Sequence, residues 1–124
     1  QRQMCIRDRY GPILGEEVFD LPVSSLTERQ KYQMIYTRIQ LAHPDVVFCI
    51  QPFKGADLPH RMHIWQLLEQ LMDHGIAVVL VSLNLSDSLS MADRLLVIGK
   101  EGIQEVLRKD FPTLAEEVSW MNLV

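Results

Sequence analysis

Short apolar runs alternate along this chain with longer segments in which apolar residues recur at helical spacing. Val46 to Ile50 and Ile76 to Ser82 are almost entirely apolar, a pattern typical of strands buried on both faces of a parallel sheet. Arg94 to Ile98 and Ile103 to Leu107 are the other predicted strands, and the glycines between them favour a hairpin. We therefore expect the first two strands to be covered on both faces.

Helical segments separate these strands. Each long one begins beside a residue that can cap a helix, or beside a proline, and ends before a glycine or a proline. The predicted helices run from Ser25 or Thr27 to about Leu41, from Leu58 to His74, from about Ser86 to Ala92, and from Pro112 towards the C-terminus. This order of elements predicts an α/β layered domain with a mostly parallel sheet.

The apolar positions of the two long helices predict which side chains pack. We expect the methionines and tryptophans to fill the core, and two histidines one turn apart to be solvated rather than to bind a metal. The predicted packing residues are Tyr32, Met34, Ile35, Tyr36, Ile39 and Leu41 in the first helix and Met62, Trp65, Leu68, Leu71 and Met72 in the second; the histidines are His60 and His63.

Composition limits the class of protein. The chain has 124 residues, a formal net charge of -4, 48% apolar and 23% charged residues, which suits one soluble globular domain and argues against a nucleic-acid partner. Cys49 lies inside an apolar run, so we expect a buried thiol rather than a disulfide. The apolar runs are far shorter than the ~20 residues of a membrane-spanning helix.

Residues Gln1 to Tyr10 differ in character from the rest of the chain. They lack helical or strand periodicity, and their M-C-I-R-D-R core resembles a translated sequencing-adapter remnant; a frayed native terminus is the alternative. On either reading we expect a non-native or disordered leader at residues 1–10 and a folded domain at residues 11–124.

The segment after Ile50 is where we expect chemistry to be placed. Ligands of open α/β sheets collect beyond the carboxyl ends of the strands, and Gln51, Lys54 and Asp57 follow the first predicted strand. These three side chains do not form an evident catalytic set. Asp57 also precedes a predicted helix, so its alternative role is that of an N-cap.

Several short segments occur in the order and at the spacing of known ATPase motifs. Leu26-Thr27-Glu28-Arg29-Gln30 falls on a signature L-S-G-G-Q, Ile50-Gln51-Pro52 on the D-E-P of a Walker B strand, Lys54-Gly55-Ala56-Asp57 on a D-loop, Leu83 on a switch histidine, and Ala92-Asp93-Arg94 on A-D-R. From Val18 to about Val106 the chain thus resembles the C-terminal half of an ABC transporter ATP-binding domain of the sugar-importer type. The resemblance implies an incomplete fragment of a P-loop NTPase-like fold.

The departures from these motifs imply lost chemistry. Ile50 and Gln51 replace the acids that in the family hold Mg²⁺ and polarise the attacking water, and Leu83 replaces the switch histidine. Glu28 and Arg29 replace two glycines of the signature. On the resemblance, Thr27, Glu28, Gln30 and Asp57 are degenerate nucleotide-binding positions, no catalytic residue is intact, and no metal site is expected.

The resemblance also implies a biological setting. The chain would be a degenerate, non-hydrolytic half of a carbohydrate import ATPase, pairing with a second nucleotide-binding domain and with permease subunits at the cytoplasmic face of the membrane. ATP and Mg²⁺ are expected for the intact family but not for this fragment, so whether the chain is an enzyme stays open. The alternative is an α/β interaction module outside transport that keeps the scaffold without nucleotide.

We predict that the isolated 124 residues are only marginally stable. In the family the phosphate-loop strand lies between the strands that match Val78-Val79 and Leu96-Val97, so its absence here would leave a buried sheet edge unpaired. Thermal unfolding and amide hydrogen exchange test this. A cooperative melt with strong amide protection from Ile76 to Val81 would contradict it.

Overall fold

The computed structural model describes Asp8, residues 10–83, residues 89–112 and Leu114. The chain divides into two compact units between Val79 and Leu80. Asp8 and residues 10–14 are helical, so helical structure begins inside the segment predicted to be a non-native or disordered leader, residues 1–10. Over the described ranges, no helix combines the length and the apolar character that crossing a bilayer requires.

Helix α1, Glu28–Ala42, starts at a capping box. The Thr27 hydroxyl accepts a hydrogen bond from the Gln30 backbone at 3.1 Å, and the Gln30 side chain accepts one from the Thr27 backbone at 2.9 Å. Each bond satisfies an amide that the helix itself leaves unpaired. Of the two predicted caps Thr27 is therefore correct, while Ser25 closes the preceding 3-10 turn, Val23–Ser25, by donating to the Pro22 carbonyl.

Helix α2, Leu58–Asp73, has the predicted signals at both ends. Asp57 is its N-cap and accepts from the His60 backbone at 3.1 Å. At the C-terminus Gly75 adopts a φ of 80° and donates to Met72, while Ile76 donates to Leu71. This pair of bonds is the Schellman arrangement, in which glycine supplies the left-handed residue. The predicted stop at Gly75 is confirmed.

The four strands form two separate pairs among the described residues. Strands β1, Val46–Ile50, and β2, Ala77–Val81, form a parallel pair, and the Ala77 amide donates to the Asp45 carbonyl at its start. Strands β3, Leu95–Gly99, and β4, Gly102–Val106, form an antiparallel hairpin. The predicted positions of the four strands are confirmed. Instead of one mostly parallel sheet, however, the structure has one parallel pair and one antiparallel pair.

Charged side chains bridge the two strands of the hairpin. The Arg94 guanidinium donates to both oxygens of Glu105, at 3.0 and 3.3 Å. This bond lowers the pKa of the Glu105 carboxyl. Because both groups are solvent-exposed, the pair adds little to stability.

Two predicted segments lie partly outside the described residues. In the helix expected from about Ser86 to Ala92, only residues 89–91 are described as helical. The capping box expected at Pro112 to Glu116, and Trp120, lie mostly or wholly beyond the described part. Before them Phe111 is buried beside a short 3-10 turn, Arg108–Asp110.

The expectation that β1 and β2 are buried on both faces is wrong for this chain. Phe48 is 69% exposed and Ile50 73% exposed, whereas Cys49 between them is buried. Residues alternate between the two faces of a strand, so only the Cys49 face is covered by the described residues. Val46, Val79 and Val81 are likewise exposed.

The helices also bury different side chains from those predicted. The fully packed face of α2 is Ile64, Leu67, Leu68 and Leu71, at i, i+3, i+4 and i+7 spacing. Leu68 and Leu71 are therefore confirmed. In α1 only Thr37 is fully buried. The predicted packing residues that are exposed instead are Ile35, Leu41, Met62, Trp65 and Met72.

Two phenylalanines five positions apart provide a matched test of this burial pattern. Phe53 is 9% exposed and Phe48 is 69% exposed. We expect Phe53→Ala to cost about 3–5 kcal/mol, enough to abolish the folded signal of a marginal domain. Phe48→Ala should change the free energy of unfolding by only about 0.5 kcal/mol and reduce self-association through the exposed apolar face. Urea unfolding and sedimentation velocity measure the two effects; equal destabilisation by both changes would contradict the assignment.

Candidate functional site

The loop after β1 is a tight double turn. The Lys54 amide donates to the Gln51 carbonyl and the Ala56 amide to the Phe53 carbonyl, both at 3.1 Å. Phe53 is buried, and the Arg61 guanidinium lies 5.8 Å from the centre of its ring. This cation–π contact and the burial fix the loop against the first turn of α2. The tip of β1 is thereby held close to the Gly55-Ala56-Asp57 segment.

Gln51 has an unusual backbone conformation. Its φ is 52°, in the left-handed region that side chains with a Cβ rarely occupy. Such a conformation costs about 1–2 kcal/mol for an ordinary L-residue. Strain of this kind is often found at functional positions, and Gln51 is the residue that sequence analysis placed where a catalytic acid would stand.

Asp57 has a structural role in the observed geometry. Its carboxylate accepts the N-cap hydrogen bond from His60 and lies 3.9 Å from the His60 ring nitrogen Nε2. The side chain is otherwise solvent-exposed. Of the two roles considered for Asp57, the N-cap is observed, and a role across a dimer interface stays a prediction.

The predicted nucleotide-binding residues at the start of α1 also have partners of their own. Thr27 and Gln30 use their side chains in the capping box. The Glu28 carboxylate pairs with Lys31 at 3.2 Å on the exposed helix surface. These bonds account for the local sequence without a ligand, so the nucleotide role of Thr27, Glu28 and Gln30 stays a prediction.

Helix α1 and helix α2 lie side by side and run in the same direction. Near their N-termini the rings of Tyr32 and His60 meet edge to face, with centroids 5.8 Å apart. At their C-termini the His43 Nε2 atom is 3.1 Å from the His74 carbonyl oxygen. Since Tyr32 lies five residues after the α1 cap, about 7–8 Å along the axis, the contact brings the starts of both helices together.

His63 is the feature of this contact that sequence reasoning missed. It is only 3% exposed, whereas we expected a solvated position. Its Nε2 atom is 3.1 Å from the Gln33 Oε1 atom of α1, and its Nδ1 atom has no hydrogen-bond partner among the described residues. Burial lowers the pKa of His63, and Arg29 and His60 lower it further. The spacing of His63 and Leu67 on one face was the available clue.

Tyr36 and Cys49 mark the contact between α1 and β1. Burial, together with the Cys49 thiol and Tyr32, raises the pKa of Tyr36 to about 12. Burial also raises the pKa of Cys49. A thiol that resists ionisation is a poor nucleophile and a poor metal ligand, so Cys49 acts as a small apolar core residue, as predicted.

Leu83 lies beyond β2, in the other compact unit. Its side chain is 93% exposed. Residues 84–88, which follow it, are outside the described part of the chain. A hydrocarbon side chain at this position can neither donate nor accept a hydrogen bond.

The side chains around the β1 tip do not provide a set for metal or acid–base chemistry. Ile50 has no ligating atom and Gln51 is a neutral amide, so neither suits Mg²⁺, which requires oxygen ligands that are usually carboxylates. Within the described residues, no group of three or more histidine, cysteine or acidic side chains could hold a metal ion.

Comparison with known proteins places most of this chain beside sugar-import proteins. It is 37% identical over 91 residues to the xylose import ATP-binding protein of Burkholderia ambifaria and 36% identical over 91 residues to that of Ralstonia nicotianae, matches that cover 73% of this chain. The ribose import ATP-binding protein of Geobacillus kaustophilus is 25% identical over the same share. No protein-family model matches the chain.

The matched region is a small part of each relative. It spans 17% of the two xylose import proteins and 18% of the ribose import protein. The chain is therefore similar to a segment of sugar-import ATP-binding proteins, and its described residues combine helices with one parallel and one antiparallel strand pair.

The strain at Gln51 can be measured by paired glycine substitutions. In Gln51→Gly the left-handed conformation becomes permitted, and the gain of about 1–2 kcal/mol exceeds the roughly 0.5–1 kcal/mol of extra unfolded-state entropy. We therefore expect slight stabilisation. Gln66→Gly, on the exposed side of α2, should destabilise by about 0.5–1 kcal/mol. Urea unfolding compares the two; destabilisation of similar size by both would exclude strain at Gln51.

Proposed function

We propose that this chain is the C-terminal part of an ABC-type ATP-binding domain of a carbohydrate importer, and that its own hydrolytic site is degenerate. Similarity to xylose and ribose import proteins supports the importer assignment. The proposal of a degenerate hydrolytic site rests on the pair Ile50 and Gln51 at the carboxyl end of β1. In the resembled motif, two acids occupy these places.

The chemistry of phosphoryl transfer explains why this pair matters. The reaction depends on positioning the nucleophile and neutralising charge, largely through Mg²⁺ and its carboxylate ligands. The residues at the end of β1 do not fit the metal, because an isoleucine side chain offers no oxygen. Gln51 cannot accept a proton, and loss of a general base alone costs about 10²–10⁴-fold in rate.

The start of α1 gives a second, electrostatic argument. A carboxylate about 4 Å from a phosphate charge is repelled by about 4 kcal/mol at an effective dielectric near 20. Glu28 is in the first turn of α1, and its pairing with Lys31 on the exposed surface offsets part of this repulsion. Glu28 and Arg29 also add side chains where the resembled motif has glycines, which obstructs the approach of a phosphate to the backbone.

This proposal assigns the chain a supporting role. It pairs with a second nucleotide-binding domain and with permease subunits at the cytoplasmic face of the membrane. ATP and Mg²⁺ are bound by the intact partner half. The transported compound is a carbohydrate, in agreement with the names of the relatives.

An α/β interaction module that has lost nucleotide altogether is the second candidate. The observation that favours it is that Thr27, Gln30 and Asp57 all satisfy helix amides with their own side chains. Binding of a fluorescent ATP analogue to the full-length protein separates the candidates: saturable binding supports the transport ATPase, and its absence supports the module.

The inactivity of this half is tested by ATP turnover of the full-length protein in complex with its permease. We expect turnover to be unchanged by Gln51→Ala, because an amide at this place does not activate water. Gln66→Ala, an exposed glutamine of α2, is the matched control. Replacing the phosphate-loop lysine upstream in the same half should also leave the rate unchanged. A loss of turnover on either the lysine change or Gln51→Ala would contradict a degenerate site.

A further inference from the structure

The buried face between α1 and α2 contains a titratable side chain that the proposed ATPase role does not use. His63 is 3% exposed and contacts α1 through Gln33, with 3.1 Å between the two side-chain atoms. Because the Gln33 Oε1 atom is an acceptor, the His63 Nε2 atom carries the proton and Nδ1 is unprotonated. Nδ1 is buried and has no partner among the described residues.

A second proton on the His63 ring would find no hydrogen-bond acceptor at Nδ1 among the described residues. A proton on Nδ1 would create a buried donor without an acceptor, and a buried unpaired charge is strongly unfavourable. The charged group that acts on His63 from α1 is Arg29, and the titratable group from α2 is His60. Both are cationic when protonated, so each opposes a positive charge on His63.

We propose that His63 makes the contact between α1 and α2 sensitive to acid, so that the two helices separate when its ring is protonated. Gln33 and His63 each lie six residues after the cap of their helix, Thr27 in α1 and Asp57 in α2. Acid therefore loosens the position of one helix start relative to the other. Any nucleotide or partner that contacts both caps would depend on that relative position.

The sign of the effect follows from proton linkage. The pKa of His63 is lower in the folded chain than its ordinary value of 6.5, so the unfolded chain binds more protons in the window between the two values. The stability that His63 contributes is complete above about pH 6.5 and is lost as the pH falls through the folded value.

The test compares urea unfolding midpoints of the full 124-residue chain at about pH 7.5 and pH 5. We expect the wild-type midpoint to fall on acidification and the midpoint of His63→Gln to fall less. His60→Gln, one turn earlier on α2 and partly exposed, removes one of the two groups that oppose a charge on His63, so it should reduce the acid shift less than His63→Gln does. An equal acid shift in His63→Gln and the wild type would overturn the proposal.

A second variant acts in the opposite direction without removing the histidine. Gln33→Glu places a carboxylate where the Gln33 Oε1 atom now lies, 3.1 Å from His63 Nε2. It should favour the protonated ring and reduce the acid shift. An unchanged or larger acid shift in this variant would count against the proposal.

Nitrogen NMR of the wild-type ring keeps the test independent of variant folding. We expect a neutral ring protonated at Nε2 that titrates below the ordinary value of 6.5. Titration of His63 at or above that value would overturn the proposal.

Discussion

The parallel contact between α1 and α2 is the interaction on which the candidate site depends. It is held near the N-termini by Tyr32 on His60, and at the C-termini by His43 on His74. Between these points lie the apolar face of α2 and the bond from His63 to Gln33. Without this contact, the capping box of α1 and the loop after β1 would have no fixed relation, because they are far apart in sequence.

Local sequence was sufficient to predict the boundaries of these elements. Thr27, Asp57 and Gly75 each act through hydrogen bonds to backbone within a few residues, so their types and spacing predict where a helix starts or stops. The hairpin of β3 and β4 followed in the same way from its glycines and flanking apolar runs. The signals for these features are local, so they can be recognised without knowledge of the rest of the domain.

Burial was less predictable because it depends on neighbours that are remote in sequence. Helix α2 has two apolar stripes; Ile64 and Leu67 lie on the one that packs, and Met62 and Trp65 lie on the one that is exposed. Periodicity alone does not choose between two apolar stripes on one helix. His63 was misplaced for the same reason, since a histidine next to the packed stripe is buried with it.

The exposure of one face of β1 and β2 also depends on neighbours that are remote in sequence. A continuous apolar run signals a strand that has cover on both sides. Here Phe48 and Ile50 lack it among the described residues, and the chain corresponds to only 17% of its xylose import relatives. On the proposed assignment, β1 and β2 belong to a larger domain. Their continuous apolar pattern then fits strands whose second face is covered by other parts of that domain. Exposure of Phe48 is therefore compatible with an ordinary sheet strand.

On the proposed assignment, the start of α1 connects helix stability with the loss of a phosphate site. Gln30, which is identical to the last residue of the resembled signature, and Thr27, which replaces its serine conservatively, are the two residues that form the capping box. Glu28 and Arg29, which depart from it, replace glycines with better helix formers, worth roughly 0.5–1 kcal/mol each, and Glu28 also places a carboxylate at the positive end of the helix dipole. A working phosphate site requires the opposite choices: open backbone and no negative charge. On the proposed assignment, a half that does not hydrolyse ATP no longer requires glycine at these two positions, so residues that strengthen the helix are tolerated there.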